Sequence, residues 1–520
     1  MVAEASESSD GITSRVPWYP FLFALYPLVR LYEQNMYEVS VSDVVVPLLV
    51  VMGVTAVGFG VLAVLLREPR RAALITAAVV LVVLYFGLAA SVIESRVERP
   101  TMLLLLLSAG FIIVAVVVAL RTGPRLGQIT LGLNVLSLIL VVMVSVPAAQ
   151  GVATEFRAAG DPTNSVEPSA LAEGAPDRDI YHLVLDRYGS EAALRAGKDI
   201  DNSGFVAWLR DKGFQVIDDA YANYTKTTIS LGSTLGMELL DGVAADLGPD
   251  SEDLAPVVRR VRQSPAGKFL QDQGYEYIHI GSWFKRTRNS QIADRSYNPE
   301  EDVSFGTTMY DLSVLPALAQ RPDAADRFKR KHADSAAYQF DVLDTLTEEP
   351  GRKYVFAHIL LPHLPYVYLE DGTFDPAEAN YKTQLAYTNR RMQEFIEPLL
   401  ELPEEERPII VVQADEGPFP ASLQKHEGRY DWAAASDKDV LTKFGILNAM
   451  YLPGPEGEAP LPGGLTAVNT YPELFRRYFG SELAYQPDRV MASIPKRPYD
   501  FLDITERLER IEREQAAAAP

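Results

Sequence analysis

The sequence predicts an α-helical membrane region of five spans, followed by a largely parallel α/β domain. Long apolar runs are concentrated before residue 150, whereas the rest of the 520-residue chain alternates short apolar stretches with charged and Pro- or Gly-rich ones. The later apolar stretches are rich in strand-forming residues and recur between helix-like segments, which favours a sheet covered by helices on both faces. At least two structural units are therefore expected.

Four of the early apolar runs approach or exceed the roughly 20 residues that cross a hydrocarbon core. A further run, Phe21–Leu31, is shorter and carries Arg30. We extend it from Trp18 to Asn35 and count it as a span, because interfacial aromatic residues and a snorkelling arginine are compatible with one; an interfacial helix is the alternative. The four longer runs are Val44–Leu66, Ala72–Ile93, Met102–Leu120 and Ile129–Ala148.

The loops between these runs predict the orientation in the membrane. Arg67, Arg70 and Arg71 fall on the same side as Arg121 and Arg125. Because Lys and Arg favour cytoplasmic loops, that side is expected to be the cytoplasm. Five crossings then place the soluble domain outside in a multi-pass protein of the cell membrane. Residues 1–17 are then expected to be a cytoplasmic tail. The first dozen residues lack the basic start and cleavage site of a signal peptide, so removal of a leader is not expected.

Composition excludes several classes of protein. The net charge of −21, without a basic tract, argues against binding nucleic acid. The absence of cysteine excludes disulfides, thiolate nucleophiles and cysteine-ligated zinc. No Gly-rich phosphate loop is present, so an enzyme that uses nucleoside triphosphates is not expected. A transporter is disfavoured because only Arg30 is charged within the spans.

After the membrane region, residues 150–178 have the composition of a linker, residues 179–502 form the α/β domain, and residues 503–520 are expected to be a solvated or frayed helical tail. Ligands of such domains gather at the carboxyl ends of the strands. Asp186, His363, Asp415 and Glu416 follow three of the predicted strands, although an Asp there is also a common helix cap and a His a common loop residue. The predicted strands are Ile180–Leu185, Phe214–Ile217, Tyr275–Ile280, Tyr354–Ile359, Ile409–Val412 and Ile446–Leu452.

Six segments of the α/β part form an ordered set along the chain. They are DIYHLVLDRYG (179–189), NYTKTTISLGSTLGMELL (223–240), AHILLPHLPYVY (357–368), PIIVVQADEGP (408–418), KFGILNAMYLPG (443–454) and VNTYPELFRRYFG (468–480). This set resembles the membrane-anchored sulfatase-like proteins of the alkaline phosphatase superfamily, which include lipoteichoic acid synthases and phosphoglycerol transferases. The resemblance spans most of residues 179–490 and implies an α/β/α sandwich of alkaline phosphatase type.

The resemblance implies a divalent metal and a hydroxyl nucleophile. Asp186 matches a carboxylate ligand, and Thr227 matches the nucleophile that also binds the metal, with Thr228 as a close alternative. His363 matches a histidine that contacts the transferred group. Asp415 matches the first residue of a metal-binding Asp-His pair, but Glu416 stands where the histidine is expected. Such an oxygen-rich set suits Mn²⁺, Mg²⁺ or Ca²⁺ better than Zn²⁺.

The remaining candidates are less specific. His426 is expected to be a further ligand or substrate contact, or else a surface loop residue. His279 is a candidate for substrate binding, or else a satisfied histidine beside the sheet. His358, inside an apolar strand, is expected to be a core residue. The basic residues Lys285, Arg286 and Arg288 are expected to attract a phosphate or to form a solvated loop.

The sequence therefore predicts an extracytoplasmic, metal-dependent phosphoryl or phosphoglycerol transferase, or a phosphodiesterase, that acts on a lipid or cell-envelope polymer through Thr227. Membrane tethering would keep the domain near such a substrate. The alternative is a catalytically degenerate domain, with Glu416 marking the loss of the metal site, that serves as an interaction or scaffold module.

Overall fold

The computed structural model describes residues 16–35, 41–94, 100–123, 125–158, 176–299, 305–319, 324–349, 351–424 and 430–518. The chain divides into two compact units, each treated by itself below. The membrane unit comprises Met1–Pro162 and Glu301–Arg327, and the α/β unit comprises Thr163–Glu300 and Phe328–Pro520.

The helices, in chain order, are α1 (Tyr19–Asn35), α2 (Val41–Leu66), α3 (Pro69–Glu94), α4 (Pro100–Arg121), α5 (Leu126–Ala158), α6 (Glu191–Lys198), α7 (Ser203–Asp211), α8 (Thr227–Gly236), α9 (Asp241–Leu247), α10 (Ala255–Gln263), α11 (Pro265–Asp272), α12 (Phe305–Leu312), α13 (Leu315–Leu318), α14 (Ala324–Leu346), α15 (Tyr381–Glu401), α16 (Ala421–Gln424), α17 (Asp437–Phe444), α18 (Thr470–Phe479) and α19 (Thr505–Ala518). The strands are β1 (Ile180–Leu185), β2 (Gln215–Val216), β3 (Glu276–Ile280), β4 (Arg295–Tyr297), β5 (Lys353–Ile359), β6 (Ile409–Ala414), β7 (Asn448–Tyr451), β8 (Met491–Ile494) and β9 (Arg497–Asp503).

Four helices of the membrane unit are long and apolar enough to cross a bilayer, by length and composition. They correspond to the four longer apolar runs of the sequence, so the predicted helical membrane region is confirmed. The last helix continues to Ala158, into the segment expected to be a linker. The spanning stretches are Asp43–Leu66, Pro69–Ala90, Thr101–Arg121 and Leu126–Val146.

Helix α1 differs from these four. It has only 17 residues and is not among the helices that meet the length for a span, so the count of five is not confirmed. One side of it packs against a longer helix, because Tyr19 and Ala24 are buried in a cluster with Ala73 and Ala77 of α3, whereas Arg30 is exposed. The Tyr19 amide also donates a hydrogen bond of 3.0 Å to Oδ1 of Asn134. Helix α1 is thus a short helix that packs against α3 and α5.

Helices α12 and α13 belong to the membrane unit, although the sequence places residues 301–327 within the α/β domain. The Val314 amide donates to the Val83 carbonyl at 2.9 Å. A Cβ at Gly87 of α3 would lie 2.7 Å from the Leu312 carbonyl oxygen, so this close approach requires glycine. A segment distant in sequence thus packs directly on α3.

A seven-stranded mixed sheet organises the α/β unit, in the order β2-β7-β6-β1-β5-β3-β4. Strands β6, β1, β5, β3 and β4 run parallel, while β7 is antiparallel to both β6 and β2. All six strands expected from the sequence are present. The short edge strand β4 and the separate β8-β9 hairpin were not predicted.

The central strands are buried along their whole length. Every residue of β1, β5 and β6 is buried. In a strand, successive side chains point to opposite faces, so both faces of the sheet must be covered. Side chains from α7, α11, α14, α15 and α18 share one core cluster with these strands. The α/β domain with a helix-covered sheet is confirmed.

The C-terminal helix α19 is not a solvated tail. Leu508 and Ile511 are buried in a cluster with Val440 and Phe444 of α17. The alternating charges of this segment made it resemble a fully exposed helix, but its two apolar positions lie one turn apart and form a packed face.

Candidate metal centre

Three buried side chains converge at the carboxyl ends of the central strands. Asp186 follows β1, His358 lies in β5 and Asp415 follows β6, and parallel pairing aligns Val184 with His358. One ligand atom from each of Asp186, His358 and Asp415 lies within 4.8 Å of the other two. The strand-end rule therefore places two predicted ligands together, and a histidine joins them.

The chemistry of these side chains fits a divalent cation. Asp186 Oδ1, His358 Nε2 and Asp415 Oδ2 are buried and have no hydrogen-bond partner within the described part of the chain. Buried polar atoms without partners are costly, and a cation bound between them would satisfy all three. Two carboxylates and one imidazole suit Mn²⁺ as well as Zn²⁺.

The electrostatics of Asp186 and Asp415 also favour a bound cation. Burial, Asp186 and Glu416 raise the pKa of Asp415 to about 7. Burial alone would also raise the pKa of Asp186, but His363, His358 and Arg187 hold it below its ordinary value. Two adjacent buried carboxylates repel each other, and a divalent cation would remove that repulsion.

Sequence reasoning missed His358, which it treated as a core residue. Its side chain is fully buried, as expected, but Nε2 lies 3.4 Å from Asp186 Oδ2. The other ring nitrogen, Nδ1, is hydrogen-bonded to Thr287 Oγ1 at 2.8 Å, which fixes the ring as an outer partner of a metal ligand does. The available signal was its position one residue before the end of a strand that neighbours β1.

Thr227 begins α8 and lies beside the cluster. Its side chain adjoins the Asp415 carboxylate and counteracts the rise in the pKa of that group. The helix is tied to the same loop, because Ser230 Oγ donates to the Asp415 carbonyl at 2.7 Å. Thr228, the alternative nucleophile, is buried and accepts a hydrogen bond from Arg286 Nη1 at 2.8 Å. Thr227 is the more accessible hydroxyl.

Glu416 lies beside the cluster, but its carboxylate is engaged elsewhere. Oε1 accepts from Arg187 Nε at 2.9 Å, and Oε2 lies 2.8 Å from Lys443 Nζ. Glu416 is absent from the three-residue group that can hold a metal. Glu416 therefore lies beside Asp415, as expected, but its two carboxylate oxygens form ion pairs with Arg187 and Lys443.

A cavity of about 370 Å³ opens beside these residues. His363, which follows β5, lines this cavity as expected for a residue that contacts a substrate. Burial lowers the pKa of His363, and Asp186 opposes that shift. The cavity is also lined by Asp186, Arg187, Lys226, Thr227, Thr228, Arg286 and Glu416.

The other histidine candidates are not brought to the cavity. His279 is buried, does not line the cavity, and its Nε2 is hydrogen-bonded to the Thr287 carbonyl at 2.8 Å. It thus supports the residue that orients His358. His426 lies outside the described residues. Of the basic loop, Arg286 lines the cavity.

Comparison with known proteins finds no matching family model, and no curated protein matches the chain. Solved structures are similar. The integral membrane protein lipooligosaccharide phosphoethanolamine transferase A of Neisseria meningitidis is 12% identical with a TM-score of 0.38, covering 91% of this chain and 96% of its own. The C-terminal periplasmic domain of EcEptC from Escherichia coli, in complex with zinc, is 12% identical with a TM-score of 0.40, covering 65% of this chain and 96% of its own.

The lipoteichoic acid synthase LtaP of Listeria monocytogenes is 10% identical with a TM-score of 0.38, covering 65% of this chain and 79% of its own. At these levels of identity no residue role passes from those proteins to this chain, whose site is defined by its own side chains.

Proposed function

We propose that this chain is a membrane-anchored, metal-dependent phosphoryl or phosphoglycerol transferase, or phosphodiesterase, that acts on a lipid or cell-envelope substrate at the outer face of the membrane. The observation that carries the proposal is the convergence of Asp186, His358 and Asp415 within 4.8 Å, with Thr227 beside them at the start of a helix. A metal site next to a hydroxyl is one arrangement that activates the hydroxyl for nucleophilic phosphoryl transfer.

The ligands of the metal would be Asp186, His358 and Asp415, with Thr227 next to them. A divalent cation held there would lower the pKa of the Thr227 hydroxyl and polarise a phosphoryl oxygen. Lys226, which precedes α8, makes no side-chain cap, so the first amides of the helix are not covered by that residue. The positive end of the helix dipole would favour an anionic phosphoryl group at Thr227.

In the first half-reaction, the Thr227 hydroxyl loses its proton to solvent, and Oγ forms a bond to phosphorus. The bond from phosphorus to the leaving alcohol breaks, and the protonated form of His363, which Asp186 favours against the effect of burial, gives its proton to the departing oxygen. In the second half-reaction, a water, sugar or lipid hydroxyl gives its proton to His363 and bonds to phosphorus. The Thr227–phosphorus bond then breaks, and Thr227 regains a proton from solvent.

The orientation rests on loops that do not involve α1. Arg67 follows α2, and Arg125 precedes α5, on the same side of a bundle of four crossing helices. If basic loops face the cytoplasm, residues after α5 lie outside whether or not α1 crosses the bilayer. An outer location places the α/β unit beside membrane lipids and the envelope.

A catalytically degenerate scaffold is the alternative. It was based on Glu416 standing where a histidine ligand is expected, but His358 supplies an imidazole at the cluster from another strand. Loss of a ligand at position 416 is therefore not by itself loss of the metal site.

The test is phosphodiester turnover by the full chain in detergent with Mn²⁺, combined with mass spectrometry of the rapidly acid-quenched enzyme. A phosphorylated peptide containing Thr227 is expected in the wild type, with no turnover in Thr227→Ala. Thr228→Ala is the matched control, and it is expected to retain turnover. Turnover that persists in Thr227→Ala would overturn the threonine mechanism, and metal-loaded wild type without any turnover would favour the scaffold.

A further inference from the structure

Phe419 is surrounded by three cations. The Arg187 guanidinium carbon lies 3.7 Å from the centroid of its ring, Lys443 Nζ 4.2 Å and Lys226 Nζ 4.8 Å. Phe419 itself is buried. Each contact is in the range of a cation–π interaction, which is stronger when water is excluded. One aromatic ring therefore holds three positive charges near the metal cluster.

Glu416 provides the negative charge among these cations. Its two oxygens are shared between Arg187 Nε at 2.9 Å and Lys443 Nζ at 2.8 Å. Both Glu416 and Lys443 are fully buried. A buried lysine is tolerated when a buried carboxylate compensates it, because an unpaired charge there is very costly. The Glu416–Lys443 ion pair is thus a buried, charge-compensated part of the site.

The backbone is shaped to allow this pair. The Gly417 amide donates to the Lys443 carbonyl at 2.9 Å. A Cβ at Gly417 would lie 2.8 Å from that carbonyl oxygen and 2.9 Å from the Gly445 carbonyl oxygen. Only glycine lets the chain after Glu416 approach the end of α17 this closely, which brings Glu416 to Lys443.

The cations divide between the interior and the cavity. Arg187, Lys226 and Glu416 line the cavity, while Lys443 is not among its lining residues. Arg187 and Lys226 each adjoin a residue of the proposed reaction centre in sequence, Asp186 and Thr227. Their charges are therefore presented where a phosphoryl group would be attacked.

We propose that Arg187 and Lys226 form an oxyanion-binding wall for the transferred group, and that Glu416, Lys443 and Phe419 position this wall instead of binding the metal. This inference rests on the proposed function and specifies how its site holds an anion. Arginine and lysine bind phosphoryl oxygens through charge-assisted hydrogen bonds. Glu416 is then a positioning residue. It lies beside Asp415 but holds the cations of the wall instead of binding the metal.

The charges around the cavity also favour an anion. Three carboxylates, those of Asp186, Asp415 and Glu416, adjoin four cations, those of Arg187, Lys226, Arg286 and Lys443. With one divalent cation held by Asp186, His358 and Asp415, the site would carry a net positive charge, which an anionic phosphoryl group would offset.

Calorimetric titration of the full chain in detergent tests the inference with two probes, Mn²⁺ alone and inorganic phosphate at saturating Mn²⁺. Lys226→Met and the charge-balanced double variant Glu416→Gln/Lys443→Met are expected to bind phosphate at least about tenfold more weakly than the wild type. Both are expected to bind one Mn²⁺ with unchanged affinity. Phe419→Leu, which keeps every charge, is expected to weaken phosphate binding by a smaller factor.

The matched control is Lys212→Met, whose ammonium also lies over an aromatic ring, that of Trp208, 5.8 Å from its centroid, without lining the cavity. It is expected to leave both titrations unchanged. Melting curves identify a variant that fails to fold, and Lys226→Met decides the inference if the double variant does not fold.

Loss of Mn²⁺ binding in the folded double variant would overturn the inference, because Glu416 would then be a metal ligand. Unchanged phosphate binding in Lys226→Met would also overturn it. These outcomes are distinguishable from failure of the proposed function, in which the wild type binds Mn²⁺ and phosphate but turns over no phosphodiester.

Discussion

His358 Nε2 lies 3.4 Å from Asp186 Oδ2, although the two residues are far apart in sequence. Their strands β5 and β1 are parallel neighbours, and His358 is level with Val184, two residues before Asp186. The imidazole therefore reaches the cluster from the strand next to the first aspartate. A histidine at this position explains how the site retains a nitrogen ligand although Glu416 follows Asp415.

Replacing His358 by glutamine should weaken Mn²⁺ binding, because one of the three converging ligands is lost. We expect the affinity for Mn²⁺ to decrease by at least about tenfold. This is at least as large as the decrease that follows when a hydrogen-bond partner of a metal ligand is removed. His182→Gln is the control, since His182 is an equally buried strand histidine that is hydrogen-bonded to Tyr471 at 2.6 Å. Equal Mn²⁺ affinities of the two variants, measured by calorimetry, would exclude His358 as a ligand.

Thr287→Val should weaken the metal site indirectly. The Thr287 hydroxyl is hydrogen-bonded to His358 Nδ1 at 2.8 Å, so its removal frees the ring to rotate. Loss of such an outer partner typically costs about 10-fold to 100-fold in metal affinity. Thr345→Val removes a hydroxyl that donates along its own helix, to the Asp341 carbonyl at 2.9 Å, and it should have no effect on Mn²⁺ binding. An unchanged Mn²⁺ titration of Thr287→Val would show that His358 needs no such support.

His363→Gln should affect substrates according to their leaving group. If His363 protonates the departing oxygen, turnover of an alkyl phosphodiester should fall by about 100-fold or more. Turnover of bis(p-nitrophenyl) phosphate should fall much less, because nitrophenolate leaves without a proton. The two rates, measured with the same variant, serve as each other's control. Equal decreases would assign His363 to binding the phosphoryl oxygens instead.

Gly417→Ala should destabilise the α/β unit. The added methyl group would lie within 3 Å of three backbone carbonyl oxygens, those of Thr442, Lys443 and Gly445, which cannot move as a flexible side chain can. Overpacking of this kind costs about 1–3 kcal/mol. Gly204→Ala, on helix α7 where a Cβ would meet nothing within 4 Å, should not lower the melting temperature. A melting temperature of Gly417→Ala equal to that of the wild type would contradict the close approach.

Single cysteines can test the orientation, because the chain has none. Asp431 is exposed on the surface of the α/β unit, and Gly123 is exposed in the loop between α4 and α5. The two variants are Asp431→Cys and Gly123→Cys. In intact cells, a membrane-impermeant maleimide should label the first and not the second. The reverse pattern would place the α/β unit in the cytoplasm, where it could not act on a substrate in the cell envelope.

Much of the fold was predictable because its signals are local. Apolar runs of sufficient length predict the four crossing helices, and the central strands were predicted to within two residues, as at Ile180–Leu185. Helix α1 was harder, because its 17 residues and Arg30 are ambiguous without its neighbours. The packing of α12 on α3 depends on contacts distant in sequence, which no local pattern reveals.

The candidate site was predictable where a residue directly follows a strand. Asp186 and Asp415 converge, as the strand-end rule requires. His358 was missed because a histidine within an apolar strand is usually a core residue whose ring nitrogens are hydrogen-bonded inside the protein. Its role here also depends on which strand pairs with β1, and that pairing is not evident from the sequence. The engagement of Glu416 was not predictable, because Lys443 approaches it from a helix that follows in sequence.

Metal analysis of the purified full chain tests the central claim most directly. After incubation with Mn²⁺ and removal of free ion, the wild type should retain one Mn²⁺ per chain, and Asp186→Asn should retain none while melting as a folded protein. A wild type that retains no Mn²⁺, Mg²⁺, Ca²⁺ or Zn²⁺, or an Asp186→Asn variant that binds as the wild type does, would contradict a metal centre at the ends of β1, β5 and β6.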